Sequence, residues 1–290
     1  MISDDGQGGS EHALAADQAV APARRPPPAR TARSLSSAFA AGAVIGALGG
    51  LIGLGGAEFR LPLLIGVFGF VALQAVILNK AISLVVVATA LPARLAAVPL
   101  ADLLPRWDVA VNLLGGSLVG AWLGATWATR MRSATLYKVL AVLLVLIAAA
   151  LAATHLGPVE PLSLPPATRI AAGLVAGVGI GIVAALMGVA GGELLIPTIV
   201  LLFAVDIKTA GSLSLVVSLP TMLVAFARYS RDGSFTVLSS NRSFVAAMVA
   251  GSVTGTVLGG LLLDVVPSGL VVPALVLLLL ASSVKVWRHQ

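Results

Sequence analysis

An all-α polytopic membrane protein, made of two internally repeated halves with broken or re-entrant helices and 8–10 membrane segments, is the architecture this sequence predicts. Three observations predict it. Only 10% of the residues are charged and 58% are hydrophobic, whereas a soluble domain carries about 25% charged residues. Apolar runs follow one another from Ser36 to Val286 with few polar gaps. A short motif also occurs twice. Gly53-Leu54-Gly55-Gly56-Ala57-Glu58-Phe59-Arg60-Leu61-Pro62 returns as Gly188-Val189-Ala190-Gly191-Gly192-Glu193-Leu194-Leu195-Ile196-Pro197, each position displaced by 135 (193 − 58).

Residues 1–35 are of another kind. They are rich in Gly, Ala and Pro, carry Arg24, Arg25, Arg30 and Arg33, and show no apolar periodicity. They read as a disordered tail, and its arginines place it in the cytoplasm. A twin-arginine export signal fits poorly, because prolines follow where a hydrophobic stretch should begin.

The first half, 36–154, holds apolar runs at about Ser36–Gly56, Leu61–Leu78, Ala81–Leu100, Val109–Thr129 and Leu136–Thr154. A loop over 155–168 leads to the second half, 169–290, with runs at about Ile170–Ala190, Leu194–Val205, Thr209–Ala227, Phe244–Leu263 and Leu270–Val286. A straight span needs about 20 apolar residues. The run 194–205 is too short, so it is re-entrant or one part of a broken helix. Lys80 and Lys208 read as interfacial anchors opening the helices after the short segments. Two topologies stay open: five crossings per half with inverted halves, or four per half with parallel halves. Both put the two termini in the cytoplasm. Inverted halves are preferred by analogy with a recurrent transporter plan.

The repeat reaches beyond the motif. Gly116-Ser117-x-x-Gly120-x-x-x-Gly124 matches Gly251-Ser252-x-x-Gly255-x-x-x-Gly259 at the same step. Ser83-Leu84-Val85-Val86 matches Ser214-Leu215-Val216-Val217 after a four-residue slip. The glycine rows read as close-packing faces between helices.

The chemistry lies in the breaks. Gly55, Gly56, Ala57, Gly191 and Gly192 permit unusual dihedrals, and Pro62 and Pro197 are expected to begin new helices. Irregular backbone at membrane depth must be buried in protein or line a wet cavity. Of the eight acids beyond the tail, only Glu58 and Glu193 fall in these breaks. A charge at the bilayer centre costs about 2.5–3.5 kcal/mol, so a matched pair calls for a task, either proton coupling or substrate gating. Otherwise each Glu accepts hydrogen bonds from the freed amides of its own break. Those amides also suit an anion. Arg60, whose repeat partner is Leu195, either lends charge to an anion site or simply pairs with Glu58 or snorkels, and the plain pairing or snorkelling is preferred. Ser83, Ser212 and Ser214 bond a substrate or bond back to their own helices.

Several classes are excluded or disfavoured. There is no cysteine for disulfides or thiol chemistry. His12, His155 and His289 lie in tails or loops, and the runs carry no nucleophile elbow and no acidic metal cluster. No enzyme activity, metal or cofactor is expected. The net charge of +6 reports cytoplasmic loops, not nucleic-acid binding. No phosphate-binding Gly-x-x-x-x-Gly-Lys loop is present.

The duplicated motif resembles that of the TauE/SafE sulfite-exporter family of membrane permeases, Gly-x-Gly-Gly-Gly-x-x-x-x-Pro followed by a Ser-Leu-bearing apolar helix. The match is Gly53-x-Gly55-Gly56-Ala57 with Pro62, and Gly188-x-Ala190-Gly191-Gly192 with Pro197; Ala57 and Ala190 each replace one glycine. The resemblance covers nearly all of 36–286. It implies a multi-pass secondary transporter of small anions, notably sulfite and organosulfonates, in the cytoplasmic membrane, with the two motifs near the substrate. Its partners would be a small anion, the lipid bilayer and a coupling proton. The alternative is a non-transporting subunit that assembles with a partner protein. Oligomeric state, direction and exact substrate stay open.

Overall fold

The computed structural model describes residues 34–52, 56–97, 100–153, 161–231, 235–261 and 268–288. Residues 1–33 of the expected tail over 1–35, part of the inter-repeat loop and Gly55 lie outside them. The described residues form helices and no strands. A helix satisfies its own backbone, which lipid cannot do.

In chain order these are α1 (Leu35–Ile52), α2 (Ala57–Gly66), α3 (Ala72–Ala97), a short α4 (Leu100–Leu103) running into a 3-10 turn, α5 (Trp107–Arg130), α6 (Ser133–Ala153), α7 (Pro166–Met187), α8 (Gly192–Phe203), α9 (Ile207–Ser230), a short α10 (Thr236–Ser240), α11 (Arg242–Leu261) and α12 (Ser268–Trp287). Among the described residues, six helices are long and apolar enough to cross a membrane. Large apolar side chains such as Val175, Val257, Leu261 and Leu277 point outward, as a lipid-facing surface requires. By contrast, α2 has 10 residues and α8 has 12. At 1.5 Å per residue they reach about 15 and 18 Å, about half of a ~30 Å hydrocarbon core.

Three boundaries differ from the sequence reading. The runs Leu61–Leu78 and Ala81–Leu100 do not meet at Asn79-Lys80. The chain turns at residues 67–71, where Gly69 has φ 66°, and α3 then passes unbroken through Asn79 and Lys80. Lys80 is therefore no interfacial anchor; it is 0% exposed, because its ammonium finds carbonyl partners inside the protein. Pro62 and Pro197 do not open their helices either. Helix starts at Ala57 and Gly192, and each proline is the sixth residue. There it removes only the donor to the carbonyl four residues back, that of Glu58 or Glu193.

Helix starts keep one step along the chain. Ala57 and Gly192, Ala72 and Ile207, Trp107 and Arg242, Ser133 and Ser268 are each 135 apart (192 − 57). At that step Asn79 corresponds to Ser214 and Ser83 to Ser218, so no slip is needed in α3 and α9.

Two close helix pairs frame the bundle, α1 with α11 and α5 with α7. The glycine rows make them. Gly251, Gly255 and Gly259 of α11 lie against the carbonyls of Phe39, Ala43 and Ala47 of α1, while Gly42, Gly46 and Gly50 of α1 face those of Met248, Ser252 and Thr256. Gly116, Gly120 and Gly124 of α5 meet Leu174, Val178 and Ile182 of α7 in the same way. A Cβ at any of these glycines would overlap the opposing backbone. Close approach of this kind supplies dispersion contacts and Cα–H···O contacts in lipid, where burial of apolar surface does not drive association.

Candidate functional site

The two breaks share a local geometry. Gly56 precedes α2 with φ 67° and Gly191 precedes α8 with φ 85°, both left-handed. That conformation is open to glycine and costly for other residues. The carbonyl of Gly56 accepts from Phe59 N and Arg60 N at 3.2 and 3.3 Å. The carbonyl of Gly191 accepts from Leu194 N and Leu195 N at 3.1 and 2.9 Å. Each Glu is thus the second residue of a new helix, where the helix dipole favours negative charge.

The breaks meet. Glu58 is 1% exposed, and both carboxyl oxygens of Glu193 are buried. The two carboxyls lie within interaction range of each other. Even so, Glu58 Oε2 and both oxygens of Glu193 lack a hydrogen-bond partner of good geometry. Two carboxylates only accept hydrogen bonds, so joining these neighbours takes a proton on one of them. Two buried cations complete the cluster, Arg60 close to Glu58 and Lys80 close to Glu193.

Side chains of α3 hold this arrangement together. Asn79 Nδ2 donates to Ala57 O of the first break at 2.9 Å and to Met187 O of the second at 3.1 Å. One amide therefore ties two segments that lie far apart in sequence. Lys80 Nζ donates to Ala184 O and Val189 O, each at 2.7 Å, and Tyr229 of α9 donates its hydroxyl to Ala185 O at 2.9 Å. The last carbonyls of a helix lack a full set of intrahelical donors, and at the end of α7 the Gly188 and Val189 amides share that task with these side chains.

Arg60 does not pair with Glu58 as the sequence reading preferred. Its Nη1 donates to Asn79 Oδ1 at 3.3 Å and to Ser83 Oγ at 3.1 Å, and its Nε and Nη2 have no partner. The reason is directional: the guanidinium reaches α3, whose polar groups face it. Of the remaining expected site residues, Gly56, Ala57 and Pro62 are buried beside Glu58, and Gly191, Gly192 and Pro197 line the second break. Ser83 is part of the cluster. Ser214 donates back to Gly211 O at 2.8 Å, and Ser212 to Lys208 O at 3.4 Å.

Asn79, Lys80 and Tyr229 were not singled out as site residues. For the first two a signal existed: two polar residues side by side in an apolar stretch long enough to cross. Read as a gap between helices, the pair lost its meaning. The described residues contain no group of three or more His, Cys, Asp or Glu that could hold a metal ion.

Paired helix breaks closing on buried charge, inside a bundle with an apolar exterior, define a multi-pass α-helical membrane protein with a polar centre. The family model for the sulfite exporter TauE/SafE matches residues 38–286, and the chain belongs to that family. The family is one of membrane transporters. No curated protein and no solved structure matches the chain.

Proposed function

We propose that this protein is a secondary transporter of a small sulfur-containing anion, sulfite or an organosulfonate, that works by alternating access coupled to a proton. One observation carries the reading: Glu58 and Glu193, one from each break, come together in a buried cluster. Two carboxylates in a dry site repel each other, and a proton on either relieves the repulsion. A proton bound there also makes room for an anion, so the two ligands favour each other's binding. We take the breaks, with Gly56, Ala57, Gly191 and Gly192, to line the path. The constant step of the helix starts and the reciprocal glycine pairs support an internal repeat, which we take as inverted. Both termini then face the cytoplasm, and the protein resides in the cytoplasmic membrane.

The test is uptake of labelled sulfite into proteoliposomes, with and without a pH gradient. Wild type should show saturable, gradient-sensitive flux. Glu58→Gln and Glu193→Gln should each lose the gradient dependence and at least about tenfold in rate, a factor worth about 1.4 kcal/mol, while melting close to wild type. Wild-type rate and gradient response in both variants would end the coupling proposal.

A further inference from the structure

The geometry points to Arg60 as the residue that recognises the transported anion, binding two oxygens of one oxyanion side-on through Nε and Nη2. The inference rests on the transporter reading and adds a site and a selectivity to it.

The guanidinium is 0% exposed. One of its corners is fixed, since Nη1 donates to Asn79 Oδ1 and Ser83 Oγ. The opposite edge, Nε and Nη2, has no partner in the protein. Those two nitrogens form one edge of a planar fork, with parallel N–H groups spaced to meet two oxygens on a single carbon or sulfur centre. A buried guanidinium left incompletely bonded is costly. Here two polar side chains orient it and none occupies its binding edge. Glu58 is the nearest internal competitor, yet its Oε2 is also without a partner, so the two groups stand close without closing an ion pair. The repeat counterpart of Arg60 is Leu195, so the second break carries no equivalent fork and the anion site belongs to the first half. The ligand class is an anion with at least two oxygens on one centre: sulfite, a sulfonate or a carboxylate. A halide engages one prong at a time. Lysine in this place keeps the charge but loses the fork.

Binding and flux are measured separately on the purified full-length protein. Binding of sulfite and of methanesulfonate is followed in micelles by calorimetry, against a chloride background. Wild type should bind both in excess chloride. Arg60→Lys should weaken both by at least about tenfold, the loss of a two-pronged charge-assisted contact. Ser83→Ala, which removes one anchor of Nη1, should weaken them a few-fold and serves where Arg60→Lys does not fold. Absence of binding to wild type overturns the proposal. So does displacement of both anions by equimolar chloride, or unchanged affinity in a folded Arg60→Lys protein. Flux in liposomes with binding independent of Arg60 sinks this site and leaves the transporter reading intact. Arg60-dependent binding without flux does the reverse.

Discussion

Replacing Asn79 with Leu should cost about 3 kcal/mol of stability. The side chains are of similar size, so the cavity contribution is small and the loss is one of hydrogen bonds. The amide donates to Ala57 O at 2.9 Å and to Met187 O at 3.1 Å. Ala57 lies in the first turn of α2, and losing that bond costs about 1 kcal/mol. Met187 is the last residue of α7, so its carbonyl is left without this donor, at about 1–3 kcal/mol for a buried orphan. The 3.3 Å contact from Arg60 adds little. The chain has four tryptophans and no cysteine. Unfolding in mixed micelles is therefore followed by tryptophan fluorescence, since thiol dyes report nothing. Asn241→Leu is the control, because the Asn241 side chain donates locally, to Val237 O at 2.8 Å, four residues back in the short α10. It should cost less than about 1 kcal/mol. A value for Asn79→Leu within about 0.5 kcal/mol of wild type would refute the bridging of the two breaks, since surface substitutions stay within that range.

Two further outcomes follow from the fold. In α11, Gly255→Ala should destabilise by about 1–3 kcal/mol, because its Cβ meets the Ala43 carbonyl of α1. Gly260→Ala, one turn on with nothing within 4 Å, should be neutral or stabilising by up to about 1 kcal/mol; equal effects in the same unfolding assay would deny the close pairing. At the start of α9, exposed Asp206 accepts from Lys208 N and Thr209 N, each at 3.0 Å. Hydrogen bonding from Thr209, side chain first and then backbone, holds its carboxyl below the usual range. A depressed carboxyl stabilises above the unfolded value of about 3.9 and loses that contribution as pH falls through the lower folded value. Asp206→Ala should thus cost about 1 kcal/mol at pH 7 and progressively less below about pH 3.9, while Asp206→Asn should cost little at either pH. A penalty that does not change with pH would remove Asp206 as a charged cap.

Much of the architecture can be read before any coordinates. The breaks follow from glycines beside a carboxylate in an apolar run, and the glycine rows declare close packing by their four-residue spacing. The cluster is only half legible. Glu58 and Glu193 stand out because charge in an apolar stretch is expensive. Asn79 and Lys80 do not, since polar residues between two apolar runs look like a surface loop. What buries them are the carbonyls of Ala184, Met187 and Val189, more than 100 residues away. Local pattern carries no record of so distant a partner. The orientation of Arg60 was missed for the same reason: proximity in sequence favoured Glu58, while the guanidinium answers to α3.

The close helix pairs bear on how such a molecule moves. Each joins a helix of the first half to one of the second, α1 to α11 and α5 to α7, with backbone seated against backbone. Side chains at such a contact have no room to swivel, and sliding would drive carbonyls over glycines at every turn. The two pairs are therefore stiff beams, and each beam draws on both halves of the sequence. A hinge between the N-terminal and C-terminal parts of the chain would split both beams lengthwise. The short helices α2 and α8 lie outside both beams, each entered through a left-handed glycine, Gly56 or Gly191. A cut at the middle of the chain would sever both beams, so the mechanical division falls across it.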